Sequence, residues 1–168
     1  PLLVQALKDE DVKVRQNAAT ALWTCDGADA ELAIPALIEA LGDEDYAVRD
    51  NTVCALGAIG PKAASVVPEL VKLLDDPEPF IRWRVLEAIG RIGPGAEAAV
   101  PDLVEILGRP GLDRCGAART VGEIGPAAHE AVSVLLELLE DDEPSLRVAA
   151  AEALWRINEH PSAIPTLI

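Results

Sequence analysis

"VRDNTVCALGAIGP", Val48 to Pro61, returns along the chain as "IRWRVLEAIGRIGP" from Ile81 and "DRCGAARTVGEIGP" from Asp113. Less faithful copies, "VRQNAATALWTCDG" from Val14 and "LRVAAAEALWRINE" from Leu146, flank these. Aligned on its arginine, the phrase gives Arg15, Arg49, Arg82, Arg114 and Arg147, at spacings of 34, 33, 32 and 33 residues. Self-similarity at such a period is the signature of a repeat architecture, in which each unit buries its apolar faces only by stacking on its neighbours.

A second phrase precedes each arginine: "PLLVQAL", "PALIEAL", "PELVKLL", "PDLVEIL" and "SVLLELL", with "PTLI" opening a sixth copy. Each unit therefore reads as two short helices, A and B, joined by an acidic turn. In helix A, Leu37, Leu70, Leu103 and Leu135 stand four residues before Leu41, Leu74, Leu107 and Leu139, which defines one apolar face. The column between them, Gln5, Glu39, Lys72, Glu105 and Glu137, faces water. Helix B of the third unit turns Ile81, Val85, Ile89 and Ile92 inward. Gly60, Gly93 and Gly125 stand where a glycine ends helix B, each followed by proline. Pro35, Pro68 and Pro101 fall inside helix A and predict a kink there, because proline removes an N–H and clashes one turn back.

The reading is an all-α chain, an α-solenoid of about five two-helix units. These span about residues 1–34, 35–67, 68–100, 101–132 and 133–164, with a sixth starting at 165–168. It forms a single array, and the absence of Met and the opening on half a helix read as a segment of a longer one. Leu2, Leu3, Val4, Ile164, Leu167 and Ile168 then lack stacking neighbours, and end-to-end self-association of the fragment is expected.

Composition narrows the function classes. Half the residues are apolar but only 3% are aromatic, which suits close helix packing. A net charge of −15 without a Lys/Arg run opposes nucleic-acid binding, since neutralising phosphates takes a basic face. No apolar stretch reaches the ~18 residues of a membrane span, and no signal-peptide pattern opens the chain. Cys25, Cys54 and Cys115 are odd in number and far apart, which fits neither a disulfide framework nor a zinc site. A reducing cytoplasm is the default location. Cys54 and Cys115 read as ordinary surface thiols, and Cys25 falls in an inward column.

The units resemble the short HEAT-like repeat of phycobilisome lyases, "PxLxxxLxDxxxxVRxxAxxALGxIG", matched by residues 35–60 and, more loosely, along the whole chain. The tetratricopeptide and ankyrin signatures are missing. The resemblance implies an α-solenoid whose helix-B faces line a concave side, and an Asp–Arg ladder between repeats through Asp9, Asp43, Asp76 and Asp141. The fourth unit departs, with a turn one residue shorter and Gly108 in place of the aspartate; there the ladder should be interrupted. The family spans scaffolds, lyase subunits and enzymes.

Several motifs bear on chemistry. The acidic turns around Asp9, Asp43, Asp76 and Asp141 read as N-caps with a favourable dipole interaction, lacking the glycine and terminal glutamate of a calcium loop. HEAT-repeat deoxyhypusine hydroxylases carry His-Glu pairs at the start of helix B. Here those positions hold Asp50-Asn51, Trp83-Arg84, Cys115-Gly116 and Val148-Ala149. His129 and His160 lie elsewhere, and no Ser/His/Asp arrangement forms around them. HEAT-like DNA glycosylases need a basic groove, which the charge opposes. "GAIGP" ends one helix and starts the next, with no Gly-Lys-Ser/Thr of a phosphate loop.

The remaining candidate is the outer face of helix B. It carries Asp50, Asn51 and Cys54 in unit two, Trp83, Arg84, Glu87 and Arg91 in unit three, and Cys115 and Arg119 in unit four. A tryptophan flanked by arginines has the composition of an interaction hot spot. Trp23 and Trp155 align instead with Gly57, Gly90 and Gly122 and fill space toward the next unit. The expectation is a non-enzymatic scaffold, without cofactor, binding a protein or peptide with an apolar anchor and some acidic residues. The rivals are a phycobilisome-lyase-like tetrapyrrole-handling subunit and a purely structural spacer.

Overall fold

The computed structural model describes residues 2–24, 31–111 and 113–167. No strand occurs among them, and the chain forms two compact units, Pro1–Ile92 and Gly93–Ile168. The first holds α1 (Leu2–Ala6), α2 (Val12–Thr24), α3 (Ile34–Ala40), α4 (Tyr46–Ile59), α5 (Val67–Lys72) and α6 (Pro79–Ile92). The second holds α7 (Val100–Gly108), α8 (Arg114–Ile124), α9 (Val132–Leu138), α10 (Pro144–Asn158) and α11 (Ile164–Leu167). Odd-numbered helices of the first unit are the A helices and even-numbered ones the B helices, and the same holds in the second. Within the first unit α4 packs on both α2 and α6, and within the second α8 packs on α10.

The leucine columns of helix A lie in the core: Leu37, Leu70, Leu103 and Leu135 are fully buried, while Gln5, Glu39, Lys72, Glu105 and Glu137 are exposed. Ile81, Val85, Ile89 and Ile92 are likewise sealed. Each such side chain contributes about 1.5–3 kcal/mol on leaving water. The fifth copy departs at its end, where Leu138 is buried and Leu139 only half-buried. Of the terminal apolar residues, Leu2 and Ile164 are exposed and Leu3 and Val4 half-buried; Ile168 lies outside the described residues.

Where a kink was expected at the helix-A prolines, the chain instead changes helix type ahead of Pro68 and Pro101. 3₁₀ segments Gly60–Val66, Gly93–Ala99 and Gly125–Ala131 end, and an α-helix begins at the next residue. Pro35, Pro68 and Pro101 sit in the first turn of their α-helices, where an N–H has no intrahelical partner. The fifth copy makes the same change at Val132 with Ser133 in the proline position, so the break belongs to the repeat and proline merely fits it.

Helix B ends as the glycines require. Gly60 has φ 66 and ψ −136, and Gly125 φ 73 and ψ −140, a region essentially closed to side-chain-bearing residues. The stretch Tyr46–Asp75 is apolar and, counted in residues, long enough to cross a bilayer. The chain leaves the α-helix at Gly60, however, leaving α4 with 14 residues and α5 with 6.

The acidic turns and arginines form the ladder. Arg49 donates Nε to Asp76 Oδ2 at 2.9 Å and Nη2 to Oδ1 at 3.3 Å, while its Nη1 reaches the Asp43 carbonyl at 2.9 Å. Arg15 grips Asp43 with the same fork, at 2.7 and 3.1 Å. Arg114 pairs with Asp141 at 2.9 Å in the second unit. Each of these aspartates also accepts the amide two residues on, at Asp45, Glu78 and Glu143. One carboxylate thus shapes its own turn and binds the previous repeat. Gly108 carries no carboxylate for such a rung, and in its shortened turn Arg114 reaches the Leu107 carbonyl through Nε instead. The N-capping expected of the acidic turns holds at two of them, where Asp11 accepts the Lys13 amide at 2.8 Å and Asp45 caps α4, whereas Glu143 makes no side-chain cap to α10.

Candidate functional site

Seven of the nine expected site residues lie on α4 and α6 of the first unit: Asp50, Asn51, Cys54, Trp83, Arg84, Glu87 and Arg91. Their helices are held together at one close approach. A Cβ on Gly57 would stand 3.1 Å from both Cα and Cβ of Ala88. Small residues there bring Asp50 of α4 within 3.3 Å of Arg84 Nε on α6.

Arg84 is the centre of the cluster. Its guanidinium carbon lies 4.8 Å from the ring centroids of both Phe80 and Trp83, which are themselves 5.6 Å apart and tilted by 31°. Nη1 donates to Glu87 Oε2 at 3.1 Å, and the other Glu87 oxygen accepts from Arg91 at 2.6 Å. Arg84 Nε and Asp50 Oδ1 are buried and close, but their angle is too poor for a hydrogen bond. Burial pushes the Asp50 carboxyl up, against the pull of Arg84. The cations that the sequence offered as free contacts are therefore internally paired in this unit. The i,i+3 and i,i+4 spacings of Glu87 to Arg84 and Arg91 carried that information.

Trp83 is 47% exposed and Phe80 52%. Phe80 was missed in the sequence, although its position one turn before both Trp83 and Arg84 was the available signal.

Cys54 corrects the sequence reading. Expected as a surface thiol, it is buried, in a small cavity lined by Trp23, Gly57, Arg84, Glu87 and Arg91. Its register does place it on the outer face, but large side chains on both flanking helices close over a small one. Desolvation pushes its thiol up to about 11, which keeps it protonated at neutral pH. Trp23, in the Gly57 column, borders this cavity, but it is 39% exposed and Trp155 44%, so neither is sealed between helices as a space-filling role would require.

Cys115 and Arg119 lie on α8 of the second unit. Cys115 is half-buried, with Sγ 3.6 Å from Glu143 Oε1 and 3.7 Å from Ser145 Oγ, and burial raises its pKa. Arg119 is exposed. Cys25 lies outside the described residues. Among those residues no group of three or more His, Cys, Asp or Glu is arranged to hold a metal ion.

No curated protein matches the chain in sequence. Among solved structures, an engineered protein is 25% identical, with 99% of this chain and 82% of that one covered and a TM-score of 0.72. The complex of CpcE and CpcF of phycocyanin lyase from Nostoc sp. PCC7120 is similar at 26% identity, covering 99% and 67%, with a TM-score of 0.74. A designed armadillo repeat protein in complex with the peptide (KR)4 is 21% identical over 99% and 85%, at a TM-score of 0.74, a likeness of fold. The HEAT-repeat family model matches residues 1–66, 34–115 and 109–168. With paired helices, an arginine–aspartate ladder and this match along its length, the chain belongs to the HEAT-repeat family.

Proposed function

We propose that this chain is a non-enzymatic scaffold that binds a protein or peptide segment on its helix-B face. The observation that carries this is the Phe80–Trp83 pair, two large aromatics left about half in solvent. The fold does not require Trp83, since its column elsewhere holds Gln16, Asp50, Cys115 and Val148. A bulky ring at a position indifferent to folding supplies contact area, and aromatics in such settings dominate binding energy. The armadillo neighbour in its peptide complex and the CpcE–CpcF complex support the reading by analogy of fold.

A displayed random-peptide library selected on the purified protein tests it. Enriched peptides should bind Trp83→Ala at least about tenfold more weakly, while the melting temperature moves little. Failure to enrich any Trp83-dependent sequence rejects the scaffold and favours a structural spacer. The 26% likeness to phycocyanin lyase supports a second reading, a tetrapyrrole-handling subunit. Titrating a bilin into the protein and following its visible absorbance decides that case, and an unchanged spectrum removes it.

A further inference from the structure

We infer that the segment received at the first unit's helix-B face is basic, bearing lysine or arginine, and not acidic; this rests on the scaffold reading above. The two arginines on this face are already neutralised, Arg84 by Asp50 and Glu87, and Arg91 by Glu87. An acidic segment would find no unpaired cation in the cluster and would approach a protein of net charge −15. The N-terminal end of α4, which would otherwise attract an anion, is already met by the Asp45 carboxylate.

What the surface offers instead is aromatic and negative. Tyr46, 60% exposed, lies one turn before Asp50 on α4, as Phe80 lies one turn before Arg84 on α6. In the turns that precede these two helices Glu44, Asp75 and Glu78 are exposed. Ring faces carry negative electrostatic potential and attract ammonium and guanidinium groups. The protein already demonstrates this fit, because Phe80 and Trp83 both hold the Arg84 guanidinium at 4.8 Å. Both rings remain about half in solvent, with exposed carboxylates in the adjoining turns to meet a second cation. A segment alternating apolar and basic side chains matches that combination.

Three fluorescein-labelled peptides of equal length, with Lys-Leu, Glu-Leu and Ser-Leu repeats, separate the possibilities by fluorescence anisotropy in roughly 0.15 M salt. The Lys-Leu peptide should bind at least about tenfold more tightly than the Glu-Leu peptide. Trp83→Ala and Phe80→Ala should each weaken it about tenfold. Trp83→Leu keeps apolar volume without a π face and should bind as weakly as Trp83→Ala, which guards against an alanine variant that unfolds. Lys-Leu binding that survives all three substitutions reflects net charge alone and overturns the inference, as does no Lys-Leu binding. Trp83-dependent binding of the Glu-Leu or Ser-Leu peptide overturns it while leaving the scaffold reading standing.

Discussion

Asp45 gathers three donors on one carboxylate oxygen: the amides of Ala47 and Val48 at 3.0 and 3.1 Å, and Gln16 Nε2 at 2.9 Å. The Gln16 hydrogen bond, then the backbone amides, hold its carboxyl below the ordinary range. A folded-state pKa below the unfolded value of about 3.9 means stability that is present above that pH. It is lost as pH falls through the folded value. Gln16→Ala should therefore raise the midpoint of the Asp45 carboxyl titration by NMR and shrink the acid-dependent part of stability. An unmoved midpoint would show that the side-chain bond is not what stabilises the charge. At Cys54 the test is alkylation followed by peptide mapping: label should reach it only after denaturation, and rapid labelling of the folded protein would contradict its burial. Trp83 was legible as a candidate because its column varies so freely among repeats, and the structure leaves it about half exposed. The depth of Cys54 and the Asp50–Arg84 contact were not, since repeat register fixes the face on which a residue lies and says nothing of what the adjacent helices lay over it.

At the scale of the element, two of the B-helix crossings are set by matching small residues. Gly57 meets Ala88 between α4 and α6, and a Cβ on Gly122 would stand 3.0 Å from Ala153 Cα between α8 and α10. The contacts are backbone, so neither helix can yield by turning a rotamer. Gly57→Val should cost about 1–3 kcal/mol through overpacking, read as a lower urea midpoint. Gly108, with nothing within 4 Å of its would-be Cβ, should accept alanine neutrally or gain up to about 1 kcal/mol. Equal effects at the two sites would show that helix propensity, and not the crossing, governs both. The leucine columns and the terminating glycines could be read from spacing alone, because a period and a forbidden backbone region are sequence-local facts. The 3₁₀-to-α change was misread as a proline kink, since only the copy with Ser133 reveals that proline is incidental.

For the molecule as a whole, repeat contacts are local, so stability is a sum of unit and interface contributions and need not be uniform. The stretch around α8 is the weaker place: Gly108 and Gly111 are exposed in its preceding turn, Gly116 lies within it, and Asp113 gives no side-chain cap. Gly122, by contrast, is required by the crossing and is no defect. Hydrogen exchange followed by mass spectrometry should show lower protection across residues 108–124 than across 45–60, where Asp45 caps α4. Equal protection would mean that packing overrides these local losses. The rungs Arg15–Asp43, Arg49–Asp76 and Arg114–Asp141 carry a further consequence, for ancestry. Each uses an arginine and an aspartate from fixed places in successive repeats, so any copy bearing both can follow any other. A tandem duplication of one whole repeat's coding DNA recreates a rung at the new junction, and clean excision of one restores it. Gain or loss of a fraction of a repeat does neither. An array joined this way changes length in evolution by whole repeats, and a copy like the fourth, which keeps its arginine while glycine stands at the aspartate's place, can still give a rung to its successor.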